Sequence, residues 1–216
     1  MLKGNNILLR PLKVSDLNFL FEVENNTDNW KYGTENKEYT KEELTKYIAN
    51  AKQDIATAGQ FRFVIDLENT PIGFIDLFDY TANSAGVGVI IAESYRNKGF
   101  AKQALYLLSD YAFTTINLVK LHCNIERNNL ASIKLFTSCG FELEREEKEF
   151  QYFVKLAKKY ALSQSGSKKQ IAERLSALRG AYLSKNEKQL ILPYLSNNVN
   201  KRVLLKHTTR KKLPRV

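Results

Sequence analysis

Cysteine and histidine are both scarce in this chain of 216 residues, which holds two of each. Two thiols, Cys123 and Cys139, cannot build a disulfide framework, and each sits in an apolar pattern that reads as a buried, reduced side chain. His122 and His207 stand far apart, so no metal-ligand cluster follows and no metal is expected. Long apolar runs are missing as well. The longest, around Val87–Ala92, falls far short of the about 20 residues that a membrane-spanning helix needs, and no membrane partner is expected. The opening Met-Leu-Lys-Gly-Asn-Asn lacks the apolar centre of a secretion signal. Together these absences predict a cytoplasmic protein, long enough for one substantial domain with an appendage.

Negative charge is scarce at one end. Residues 158–216 carry 15 Lys and Arg against 2 Asp and Glu, a net of +13, out of whole-chain totals of 33 and 23. Residues 1–157 are left with 18 basic and 21 acidic side chains, a net of −3. A shift of that size marks a boundary. Beyond it, Ser163-Gln-Ser-Gly-Ser167 reads as a flexible joint. Ile171, Leu175, Leu178 and Tyr182 then recur at helical spacing. The prediction is a globular domain on 1–157 and a basic, helical C-terminal extension on 158–216.

What the first part does contain is a run of alternating strand and helix signals. Residues 5–10 read as a strand, and Ser15-Asp16 can cap a helix through about Asn25. Thr40-Lys-Glu-Glu43 fits a capping box for a helix through about Ala58. Phe61–Leu67 and Ile72–Phe78 predict a hairpin across Glu68-Asn-Thr-Pro71. Ala101, Ala104, Leu105, Leu108, Tyr111, Ala112 and Ile116 form an amphipathic stripe, and Phe141–Arg145 and Glu149–Leu156 read as closing strands.

The most informative stretch runs from Gly86 to Ala101. A buried strand enters a turn spaced Arg96-x-x-Gly99-x-Ala101, and a helix follows. Backbone N–H groups in such a turn lack intrahelical acceptors, and the helix dipole adds positive charge, so the turn is a ready anion cradle. Gly99 permits close approach of a ligand, while Arg96 and Lys98 add side-chain donors. An ordinary strand-to-helix connection with surface bases reads the same way. A second landmark follows: the strand Leu118–Glu126, then Asn129-Leu-Ala-Ser132, a short helix, and Gly140-Phe141.

This order of strand, R-x-x-G-x-A, helix, strand, N-x-x-S, helix and G-F resembles the GNAT acetyltransferase superfamily over roughly residues 5–157. It looks nearest to the branch holding spermidine N-acetyltransferases and ribosomal-protein N-terminal acetyltransferases. Leu8-Leu9-Arg10-Pro-Leu and Pro71-Ile-Gly73-Phe-Ile-Asp are also similar to that branch. The resemblance implies an α/β (α+β) fold: a mixed, mostly antiparallel central sheet flanked by helices, with two central strands splayed apart. It implies acetyl-CoA as cosubstrate, its pyrophosphate on the backbone around Asn97, Lys98, Gly99, Phe100 and Ala101, next to the side-chain donor Arg96. The pantetheine arm would run along Ile90, Ile91 and Ala92, with Asn129 and Phe136 nearby. Asn129 reads equally well as a helix cap.

Two family provisions are missing. Many relatives place a Tyr four residues before the G-F pair, where it protonates the leaving sulfur; this chain has Phe136. Ser132 is the substitute that the resemblance suggests, or else a helix-surface serine. Relatives often carry a Glu early in the first central strand, where this chain has Gly86. Glu126 is the replacement base best placed by sequence, with Asp76 and Asp79 behind it; exposed carboxylates are also often merely solvated. Neutralising a Lys-like amine near neutral pH costs about 4–5 kcal/mol, against about 1.4 kcal/mol at most for an α-amine. A weak base therefore leans towards low-pKa acceptors.

The expected function is transfer of acetyl from acetyl-CoA to a primary amine, on a peptide N-terminus or a polyamine-like small molecule. Trp30 and Tyr32 fall where the family borders its acceptor pocket, or fill core. The alternative is a catalytically weak CoA-binding module whose basic segment engages nucleic acid or a protein. That segment predicts RNA or ribosome contact through clustered Lys and Arg, or else a helical cover or a homo-oligomer contact.

Overall fold

The computed structural model describes residues 1–30, 37–51, 53–157, 160 and 170. Eight strands form one sheet: β1 Leu2–Lys3, β2 Leu8–Pro11, β3 Phe61–Leu67, β4 Thr70–Phe78, β5 Ser84–Ile91, β6 Lys120–Glu126, β7 Glu142–Glu146 and β8 Phe150–Leu156, in the order β1-β2-β3-β4-β5-β6-β8-β7. All neighbours are antiparallel except β5 and β6. The helices are α1 Leu17–Glu24, α2 Thr27–Trp30, α3 Lys41–Asn50, α4 Ile55–Ala58, α5 Phe100–Asp110 and α6 Leu130–Ser138. Among the described residues no helix is long and apolar enough to cross a membrane. The expected mixed, mostly antiparallel sheet flanked by helices is the one observed. The predicted extension on 158–216 lies outside the described residues, apart from Tyr160 and Gln170.

Strand alternation divides the core. Phe63, Ile65, Ile75, Leu77, Val87, Leu121, Cys123 and Ile125 face one side, where the stripe Ala104, Leu105, Leu108 of α5 covers them. On the other side Val64 and Phe74 pack with Leu20 and Val23 of α1 and Leu44 and Ile48 of α3. This second cover spans β2 to β4 and reaches Ile90 of β5. On β6 the residues His122 and Asn124 point that way and keep solvent access.

A buried ionic cluster ties the N-terminal strand to the sheet and α1. Arg10 donates to both carboxylate oxygens of Asp16, at 2.7 and 2.8 Å, and through Nε to Asp66 at 2.6 Å. Backbone N–H groups of Lys13 and Asn69 complete the acceptors of Asp16 and Asp66.

Three elements differ from the sequence expectation. The helix opened by Thr40 ends at Asn50 instead of continuing to Ala58, because Asp54 accepts from the N–H groups of Ala56 and Thr57 and starts a separate turn. The hairpin turn is only Glu68-Asn69, both at positive φ (51° and 68°), so β4 starts at Thr70 and Pro71 enters the sheet opposite a bulge. The strand expected at residues 5–10 is β2, Leu8–Pro11, preceded by its two-residue partner β1 at Leu2–Lys3.

Candidate active site

Strands β5 and β6 are hydrogen-bonded partners at three rungs only: Ser84 with Lys120, Ala85 with Leu121, and Gly86 with His122. Past that rung β5 stays on β4 as far as Gly73↔Ile91, while β6 stays on β8 as far as Glu126↔Phe150. The two strands diverge into a V whose inner edges carry backbone groups with no interstrand partner. Ala92 donates to Ile72 O at 2.9 Å, which fixes the phase of the β4–β5 ladder. Even-numbered residues of β5 therefore bond to β4, and Val87, Val89 and Ile91 turn N–H and C=O groups into the V. Of the predicted pantetheine contacts Ile90, Ile91 and Ala92, only Ile91 has its backbone aimed there. Ala92 is occupied at both ends, its C=O accepting from Tyr95 N–H.

At the wide end of the V the chain turns through Asn97 (φ 61°) and Gly99 (φ 83°) into α5. Asn tolerates the left-handed region and glycine suits it best. A Cβ on Gly99 would meet nothing within 4 Å, so the space above it is open. The N–H groups of Phe100, Ala101 and Lys102 precede the first helical bond, from Gln103 to Gly99 O at 3.1 Å, and have no intrahelical acceptor. Phe100 and Ala101 half-bury their side chains against the core. Arg96 folds back: its Nε donates to Ile91 O (2.9 Å) and Nη2 to Asn29 Oδ1 (3.0 Å). Lys98 caps Ser94 O at 2.8 Å. Both basic side chains thus brace the loop, and its backbone presents the cradle.

Asn129 caps α6, its Oδ1 accepting from Ser132 N–H at 3.1 Å. Ser132 is half-buried one turn before Phe136 on the same side of α6. Phe136 is 4% exposed and meets Phe141 edge-on, with ring centroids 5.0 Å apart, so its ring serves the core. Glu126 lies at the wide end of the V, four residues beyond the last paired rung. Asp76 is held by Arg62 through two bonds of 2.8 Å, and Arg62 also pairs with Glu24. That pairing occupies Asp76 structurally. Trp30 donates through Nε1 to Glu24 O at 2.8 Å, while Tyr32 lies outside the described residues.

Two neighbours at the apex escaped the sequence reading. Phe78 lies against Gly86, and its ring meets His122 edge-on at 6.2 Å between centroids. The signal for His122 was available: it alternates with the apolar Leu121, Cys123 and Ile125, which places it on the opposite, open face.

The chain matches the family described as Acetyltransferase (GNAT) domain over residues 6–142. Spermidine N(1)-acetyltransferase of Escherichia coli (strain K12) is 28% identical over 148 residues, 68% of this chain and 78% of that protein. The crystal structure of spermidine N-acetyltransferase from Vibrio cholerae in complex with CoA and spermine aligns with a TM-score of 0.66 at 27% identity. It covers 73% of this chain and 99% of that one. A dodecameric structure of the Vibrio cholerae enzyme in an intermediate state aligns at 0.62 and 26%, over 76% of this chain and 100% of that one.

Proposed function

The chain belongs to the GNAT acetyltransferase family and is an acetyl-CoA-dependent N-acetyltransferase, and on that premise we propose that its acceptor is a primary amine of a polyamine. The single observation behind the polyamine reading is the likeness to spermidine N-acetyltransferases across most of their length. Charge agrees with it. Residues 1–157 are net acidic, and β7 sets Glu142 and Glu144 beside the open face of β6 and β8, while the bulge after Leu143 turns Glu146 to the other face.

In this reading the N–H groups from Asn97 to Ala101 hold the pyrophosphate. The inner edge of β5, from the Ile91 N–H back to Val87, hydrogen-bonds the pantetheine amides as an added strand would, the Ile91 carbonyl being held by Arg96. That edge covers about 13 Å at 3.3 Å per residue, so an extended arm delivers its thioester towards the last paired rung. The amine nitrogen attacks the thioester carbon from the open face, the C–N bond forms, and the C–S bond breaks. Ser132, on the α6 face that runs down to Phe136, is the residue offered for the departing thiolate. Asn129 flanks the arm at the start of α6.

The buried free thiols Cys123 and Cys139 suit a reducing compartment, and the cytoplasm is the proposed location. The dodecameric relative supports self-association of this chain. RNA or ribosome contact was predicted from 158–216, which lies almost wholly outside the described residues, and draws no support from the relatives. The weak binding-module reading rests on Phe136 and Gly86 alone.

The test is release of CoA thiol from acetyl-CoA with spermidine, spermine or a peptide bearing a free N-terminus. Polyamine-dependent release is expected. Release with the peptide and none with either polyamine overturns the acceptor assignment.

A further inference from the structure

At the point where β5 and β6 part, the residues on the open face are Phe78, Gly86 and His122. Gly86↔His122 is the last rung before the V opens, so the imidazole stands at its apex. Its neighbours in sequence, Leu121 and Cys123, are buried in the α5-side core, which sends His122 to the face left open beyond α1 and α3. Phe78 lies along Gly86 and meets the imidazole edge-on. The imidazole nitrogens make no hydrogen bond to another described residue, which leaves both available. Of the carboxylates considered from sequence, Asp76 is bound by Arg62 and Glu126 sits at the far, wide end, while Asp79 follows Phe78 and stands near enough to act on the charge of His122.

We propose that His122 is the general base of the transfer, accepting the proton that the incoming ammonium must lose, directly or through one water. This rests on the acetyltransferase reading of the V and deepens it. The steps balance. The imidazole takes one proton from R–NH3+ and passes it to solvent. The freed lone pair attacks the thioester carbon, the C–S electron pair leaves with sulfur, and the second proton lost by nitrogen neutralises the thiolate. The products are the amide, CoA thiol and one proton.

The electrostatic surroundings agree. Burial and then the Lys120 ammonium push the imidazole below its ordinary value near 6.5, outweighing Asp79 and Glu144. Lys120 is on its own strand, Asp79 follows β4, and Glu144 comes from β7, within 3.7 Å of Lys120 Nζ. On β8 the register partner is the uncharged Val154, and Glu142 lies next to that on β7. His122 is therefore neutral at physiological pH, its lone pair ready.

The experiment compares wild type with His122→Gln and His122→Ala in thiol release from about pH 6 to 9, with spermidine and with a peptide amine. CoA affinity by calorimetry and melting temperature serve as controls. Expected is a loss of about 100-fold in kcat near neutral pH, with CoA affinity and melting unchanged. The deficit should shrink as pH rises and more amine is free, and added imidazole should restore part of the rate to His122→Ala. Wild-type kcat and pH profile in both variants overturn the assignment of His122 alone. A peptide-only wild type overturns the polyamine reading and leaves the His122 comparison to run on the peptide. No turnover by the wild type with either amine overturns both.

Discussion

Phe78 occupies the space that a side chain at Gly86 would need. A Cβ built on Gly86 would come within 2.3 Å of the ring's Cε2 and 2.6 Å of Cζ, so the ring would have to move. The missing carboxylate of the first central strand and the aromatic ring at the end of β4 are thus one structural choice.

Gly86→Glu should accordingly destabilise the fold by about 1–3 kcal/mol, the usual penalty for overpacking. Combined with Phe78→Ala it should cost clearly less than the two single changes added together. Urea denaturation of all four proteins measures the coupling; strict additivity would show that the ring and position 86 do not compete.

Asp16 should matter far more than an ordinary surface carboxylate. Burial pushes its pKa up, but the Arg10 guanidinium and the Lys13 N–H outweigh burial and hold it below the usual 3.8. A depressed carboxylate gives stability that is present above the unfolded pKa and lost as pH falls through the folded one. Wild-type stability should therefore drop on acidification below about pH 4, and Asp16→Asn should flatten that drop. At neutral pH, Asp16→Ala should cost about 3–5 kcal/mol, since Arg10 stays buried with one partner fewer. Denaturant titrations across pH read both effects.

Lys155 presents the opposite sign. It is 3% exposed, donates to Ser109 Oγ at 3.1 Å, and lies near the rings of Tyr106, Phe141 and Tyr160. Burial lowers its pKa to about 8. The unfolded lysine titrates near 10.4, so between these values only the unfolded chain binds the proton, and stability should rise with pH across that window. Lys155→Met should be the more stable protein at pH 7, by about 3 kcal/mol at most, and should lose the alkaline rise. Thermal melts at matched ionic strength decide; a wild type that weakens between pH 8 and 10 would contradict the assignment.

Gly99→Ala separates folding from binding. The methyl group meets no protein atom within 4 Å, so the fold should lose only about 1 kcal/mol for the positive φ of 83°. CoA affinity should fall by at least about tenfold, because the strained turn and the methyl both disturb the amides proposed to face the pyrophosphate. Calorimetry on a variant with near-native melting checks it, and undiminished affinity would move the diphosphate elsewhere.

Much of the fold was legible because its determinants are local. The capping box at Thr40, the stripe of α5 and the order of strand and turn signals all survive in the structure. The ends of elements were less legible where two local preferences compete, as at Asp54, which prefers to start a helix rather than sit inside one. Around the site, sequence order placed the cradle and the V but could not assign hydrogen-bond phase, which decides that Ile91, and not Ala92, faces the V. It also could not show that Arg96 and Lys98 turn back onto their own loop, since that depends on acceptors at Ile91, Asn29 and Ser94 brought near by folding. For His122, alternation could give the face but not its place where the strands part. A lone histidine in a strand gains meaning only once the neighbouring strand is seen to leave it.

The guanidinium of Arg96 has one further consequence. It fastens the final carbonyl of β5 to the side chain of Asn29, which in turn holds Val23 O at 3.1 Å. The loop before α5 and the end of α1 are therefore stitched by a single thread, and remodelling either one, by evolution or by an engineer, disturbs the other.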